Sequence, residues 1–195
     1  MKAARKGEDK GKKYFLKKMK KCSKMMQTII KCPKPIIAEV EGTATAAGCQ
    51  LVASCDLAYA SSSAKFATPG VNIGLFCSTP MVAISRNLSN KHSMEMLLTG
   101  ELISSDKAVK IGLINDVTEI NKLKDFVLNK AQKISKKSSV TLKIGKEAFY
   151  KQLDMKLSDA YDYASKVMVQ NMLKLDAKEG IDAFIDKREP NWKDK

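Results

Sequence analysis

Residues 41–56, EGTATAAGCQLVASCD, constrain this chain more than any other stretch. An apolar, β-branched run at 36–40 precedes them and the alternating run 57–61 follows, so the order strand, tight turn, helix, strand is predicted. The first four backbone N–H groups of a helix have no partner within it, and they lie at the positive end of its dipole. Thr43, Ala44, Thr45, Ala46, Ala47 and Gly48 keep the side chains small at that point. A ligand oxygen acquiring negative charge has room to approach the backbone there, as in an oxyanion hole. The same small residues equally suit a turn that packs a helix closely on a sheet, and these residues alone leave both readings open.

The 195 residues suit one domain with a proper core, and no run of about 18 apolar residues exists to cross a bilayer. The net charge of +14 is unevenly placed: residues 1–34 hold thirteen basic and two acidic side chains. Only Arg5, Arg86 and Arg188 are arginines. Readers of bases and phosphates favour the guanidinium fork, and no nucleic-acid-binding motif accompanies the charge, so nucleic acid is not an expected partner. The five cysteines, Cys22, Cys32, Cys49, Cys55 and Cys77, lack paired CxxC spacing, and His92 is the sole histidine. Reduced, buried thiols and no metal site are expected.

Residues 1–12 read as a basic, glycine-punctuated tail, short of the serines and arginines of a transit sequence and of the apolar core of a secretory signal. From Tyr14 the stripe Phe15, Met19, Cys22, Met26 and Ile29 predicts an amphipathic helix packed on the core, with membrane-surface binding by its lysine face as the alternative. Pro33 and Pro35 end it. After the central stretch come a strand at 56–60, another at 65–68 broken by Pro69 and Gly70, and helices at 81–88, at 91–98 closed by Thr99 and Gly100, and at 106–111. Ser78 and Thr79, and Ser104 and Ser105, are the candidate caps. A strand at 113–117 precedes a wholly helical remainder, its last helix at 177–187.

Four blocks in order, KPIIAEVEGTATAAGCQLVASCDLAYAS, KFATPGVNIGLFCSTP, MEMLLTGELISSDKAVKIGLIN and EGIDAFIDKREPNW, resemble the crotonase superfamily, the enoyl-CoA hydratases and isomerases. The resemblance implies an α/β fold: a spiral of ββα units, incomplete at the N-terminus, with a C-terminal helical region that drives trimerisation and often hexamers. It divides the chain into the tail 1–12, a partial spiral core at 13–135 and the helical region 136–195. It implies an acyl-CoA ligand and no separate cofactor, with the thioester oxygen held between two backbone amides. The second of these falls at Ala47, flanked by Ala46 and Gly48; the first belongs to a more N-terminal portion of the family. Gln50 and Gly70 stand where the family's hydratases carry their two catalytic glutamates. Phe184 and Lys187 fall in the block that lies beside the CoA of a neighbouring subunit. The implied location is mitochondrial, the cytoplasm otherwise.

An amide does not titrate at useful pH and glycine has no side chain, so neither position supplies a general acid or base. The expectation is therefore an acyl-CoA-binding hydratase/isomerase-like protein without ordinary hydratase activity, the alternative being a non-catalytic oligomeric scaffold or regulator. Asp56 is expected in a turn or cap, His92 at a surface or cap, and Cys77 without a base to activate it.

Overall fold

The computed structural model describes residues 3–195. The chain forms two compact units, one made of the chain as far as Ile30 with Ile36–Phe126, the other of Lys31–Pro35 with Val127–Lys195.

The first unit contains α1 (Lys12–Lys31), β1 (Ile37–Val40), β2 (Thr43–Thr45), α2 (Ala47–Ser54), β3 (Leu57–Ser61), β4 (Lys65–Ala67), α3 (Ser78–Ile84), α4 (Asn90–Thr99), β5 (Ile103–Ser104), α5 (Ser105–Lys110) and β6 (Asp116–Thr118). Helix α6 (Ile120–Ser135) starts in this unit and runs on into the second. The strands form two small sheets. One has the order β1-β3-β6, all parallel; the other has β2-β4-β5, the last pair antiparallel. The first two turns of chain, β1-β2-α2 and β3-β4-α3, each add one strand to each sheet before a helix, and in the third α5 stands between β5 and β6. This is the ββα spiral the resemblance implies.

Alanine sets the spacing inside. Ala38, Ala58, Ala60, Ala64 and Ala108 line a core closed by the fully buried Phe66 and Ile84. Ala38 pairs with Ala58 and Val40 with Ala60, so small side chains stack across the ladder and let α2 approach the sheet. Side chains complete the ladder ends. The amide of Ile36 donates to Asp56 Oδ2 at 2.6 Å, the turn role expected of Asp56, and Ala58 N donates to Asn115 Oδ1 at 2.8 Å.

Several boundaries differ from the sequence reading. The stretch 43–45 is a strand rather than part of a turn: Thr43, Ala44 and Thr45 pair with Lys65, Phe66 and Ala67, which puts Ala44 inside and the β-branched threonines on the pleat. Helix α3 starts at Ser78 and ends at Ile84; its N-cap is Cys77 with no side-chain cap bond, and the Ser78 hydroxyl donates to Phe76 O at 3.3 Å. Leu113 and Ile114 do not ladder because their amides bond Ala108 O, so the strand is only Asp116–Thr118. The segment 1–12, apart from its first two residues, which lie outside the described ones, carries a 3-10 turn at Ala4–Lys6. On α1, Met26 is buried and Phe15, Cys22 and Ile29 are half-buried, while Met19 faces outward. The predicted caps Ser104 and Gly100 hold: Ser104 Oγ accepts from Lys107 N, and Gly100 ends α4 at φ 64.

The second unit holds the rest of α6, α7 (Ser139–Gln152), α8 (Leu157–Met172) and α9 (Leu175–Ile185). Its last eight residues are latched. Asp176, almost fully buried, accepts from the amides of Lys193 at 2.7 Å and Asp194 at 3.1 Å. Burial opposes its charge, but hydrogen bonds from Ser138 and the amides of Lys193, Asp194 and Lys195 outweigh that and hold its pKa below the ordinary carboxylate value. Arg188 forks onto Glu179 at 2.7 and 3.0 Å, and Asn191 N reaches the same carboxylate at 2.6 Å. Trp192 donates to Lys136 O at 2.8 Å and lies over Gly180, where an added Cβ would sit 3.1 Å from the ring. The block EGIDAFIDKREPNW is thus one mutually bonded assembly.

The Arg188 fork, with the Asn191 amide, brings Glu179 down from 4.5 to about 2. A carboxylate pKa depressed by folding stabilises above the unfolded value and loses that contribution as pH falls through the folded one. The latch should therefore loosen as pH drops from about 4.5 toward about 2. Fluorescence of Trp192, the sole tryptophan, should shift red across that window, and Arg188→Ala should move the shift to higher pH.

Candidate functional site

The site is the start of α2. Ala46, its N-cap, has φ 48 and ψ −113, a conformation that a side chain disfavours. Two bonds fix it: Ala46 N donates to Ala67 O at 2.9 Å, tying the turn to the end of β4, and Gln50 N donates to Ala46 O at 2.9 Å, closing the first helical turn. The amides of Ala47, Gly48 and Cys49 come before that first closing bond. Ala47 and Gly48 are exposed and Ala46 is half-buried, so solvent reaches the first two.

Gln50 is on the same turn but points the other way. It is 3% exposed, and its Oε1 accepts from the thiol of Cys22 on α1 at 3.7 Å. Its amide is part of the helix packing. Gly70 lies in the 3-10 turn Pro69–Ile73, three residues past the Ala67 carbonyl that anchors Ala46. The chain folds back on it: Leu75 N donates to Gly70 O at 2.9 Å, and a Cβ at Gly70 would lie 2.7 Å from Leu75 O and 2.8 Å from Cys77 Sγ. Gly70 has no positive φ, so close approach alone demands glycine here. Gly74, at φ 73, makes the fold-back.

Cys49 and Cys77 are both buried free thiols. Burial, then the neighbouring Cys77, pushes the Cys49 pKa up to about 12 against a bond from the Ala67 amide, so this thiol stays protonated and is no nucleophile at neutral pH. His92 serves the start of α4: Ser89 Oγ accepts its amide at 3.3 Å and lies 3.2 Å from its Nδ1. Among the described residues, no three His, Cys, Asp or Glu side chains are grouped as metal ligands would be.

Ala46, Ala47, Gly48 and Gln50 therefore share one helical turn, with Gly70 on the segment that follows its anchor. Phe184 and Lys187 belong to the second unit. Phe184 is 84% exposed, so core packing does not explain it, and Lys187 is exposed at φ 53 past the end of α9. Leu75, which with Cys77 closes off Gly70, was not readable as a site residue, and Cys77 was weighed as a nucleophile rather than as packing.

A sequence model of the enoyl-CoA hydratase/isomerase family matches residues 4–195. The chain belongs to that family. Among curated hydratase/isomerase relatives, the mitochondrial enoyl-CoA hydratase domain-containing protein 3 of Rattus norvegicus is 50% identical over 182 residues, 93% of this chain and 61% of that protein. The Homo sapiens protein of the same name is 48% identical over 185 residues, 95% and 61% of the two chains. The chain thus spans about three fifths of the length of these relatives. The crystal structure of human enoyl-CoA hydratase domain-containing protein 3 superposes with a TM-score of 0.92 at 47% identity, covering 96% of this chain and 74% of that one. An enoyl-CoA hydratase from Mycobacterium smegmatis gives 0.91 at 46% identity, covering 92% and 70%. The fold is the crotonase fold of the hydratase/isomerase family.

Ala46→Gly should relieve backbone strain and raise stability by about 1 kcal/mol, whereas Gly70→Ala should lower it by about 1–3 kcal/mol through overpacking against Leu75 and Cys77. Urea unfolding of the two variants checks both signs.

Proposed function

We propose that the first turn of α2 takes the carbonyl oxygen of an acyl-CoA thioester at the Ala47 amide, in a protein without two-carboxylate hydration chemistry. The observation that carries this reading is the pairing of an open amide at Ala47 with no ionisable side chain at position 50 or 70. An enolate formed at a thioester places charge on oxygen, and each preorganised N–H donor contributes about 3–4 kcal/mol to its stabilisation. Ala46 and Gly48 border the amide closely enough to shape the approach of a thioester.

The family's water-activating chemistry has no agent here. Gln50 spends its carbonyl oxygen on Cys22 inside the core, and the space beside Gly70 is filled by Leu75 and Cys77. Chemistry compatible with the site leans on oxyanion stabilisation, with the proton carried by the substrate itself, as in an isomerisation or decarboxylation. The relatives named as mitochondrial support the same location for this protein.

A second reading is a non-catalytic oligomeric scaffold or regulator, favoured by the bare apolar side chains of the second unit. Leu157, Tyr161, Leu173 and Phe184 are 70–84% exposed on or beside α8 and α9. Covering them in a homotrimer or hexamer fits either reading, with Phe184 and Lys187 then offered to a neighbouring subunit's CoA.

Titration calorimetry with butyryl-CoA separates the two: binding supports the first, and no heat at millimolar ligand supports the second. Ala47→Pro removes the donor at a helix position where proline's missing N–H is tolerated, and should weaken binding about tenfold or more without loss of the folded melt. Crotonyl-CoA hydration should run about four orders of magnitude or more below ordinary hydratase rates, and Gln50→Glu should not restore it. Light scattering should give a mass of three chains or a multiple, and Leu173→Asp should shift it toward one.

A further inference from the structure

The longest helix carries a feature that the thioester site does not use. Helix α1 has no acidic residue, and Lys13, Lys17, Lys20, Lys21 and Lys24 are all exposed. At 100° per residue these five fall within a single arc of about 100°, and at 1.5 Å per residue they extend about 16 Å along the axis. The arc lies opposite the packed stripe of Phe15, Cys22 and Met26, so packing of the helix itself aims the row at solvent.

Among the described residues none of the five makes an ion pair. Lys107 pairs instead with Glu95, and Lys122 with Glu119. Asp9, the nearest acid in sequence, is occupied with the amides of Gly11 and Lys13. Five like charges are therefore held close together without internal neutralisation, an arrangement that favours an external polyanion. Apolar side chains border the row on both sides. Tyr14 is 43% and Met25 45% exposed along one edge, and Leu16 is 52% exposed along the other.

We propose that this face of α1 docks the protein on an anionic phospholipid surface. Ammonium groups on flexible stems attract headgroup phosphates as point charges, without the planar fork by which arginine reads nucleic acid, and α1 contains no arginine. The bordering Tyr14, Leu16 and Met25 lie level with the lysines, where they meet the headgroup boundary once the charges have brought the helix down. Binding is peripheral; no helix among the described residues is long and apolar enough to cross the bilayer.

The full chain is sedimented with sucrose-loaded vesicles of phosphatidylcholine alone or with added phosphatidylglycerol. The bound fraction should depend on the anionic lipid and fall about tenfold or more from low to physiological salt, because the charges are exposed and screened. Lys17→Glu/Lys20→Glu/Lys24→Glu should abolish it. Lys91→Glu/Lys110→Glu/Lys124→Glu, which changes the net charge equally at other exposed lysines of the first unit, should leave most of it, with both variants retaining the parental melt. Equal binding to neutral vesicles, equal loss in the two variants, or capture by duplex DNA in preference to anionic vesicles would overturn the proposal.

Discussion

The backbone bond from Ala46 N to Ala67 O ties the start of α2 to the segment that carries Gly70. Because it extends the parallel pairing of β2 with β4, the end of one strand fixes where α2 begins. With the turn held on the sheet, Ala46 has only a positive φ by which to enter the helix, and the amide of Ala47 is left outside the first helical bond. An open donor belongs to any helix start; the constraint on Ala46 adds a fixed position for it. Fixing the donor in advance is also what oxyanion chemistry needs, since a preformed dipole does not reorganise as charge develops.

Around that donor the chain is closely packed. Gln50 is turned inward toward the Cys22 thiol, and Gly70 is covered by the Leu75 carbonyl and the Cys77 thiol. Burial keeps the Cys49 thiol protonated, so it is no nucleophile at neutral pH.

Much of this was legible in the sequence. Period-2 and period-3.6 patterns located β1, α2, β3, β4 and the long helices, and Ser104 and Gly100 marked helix ends through local chemistry that needs no tertiary context. The strand Thr43–Thr45 was not legible, because a run of small residues reads as a turn until its partner strand is known. The same limit applies to Gly70: its neighbours come from a fold-back whose reach depends on Gly74 and on α3 starting at Ser78. Inward rotation of Gln50 depends on the position of Cys22, 28 residues away. Local rules of propensity and capping were sufficient where the controlling neighbour lay within one turn, and failed where it lay across the core.

The latch on Asp176 has a consequence for how the second unit is made. Asp176 precedes residues 193–195 in the chain, and their amides complete the shell of its carboxylate. Until they follow, α9 would have to bury a charge lacking most of its donors, which disfavours early docking of that helix. The first unit has no such dependence on the last residues and is free to settle while synthesis continues. Docking of α9 thus waits on three residues that follow it in the chain.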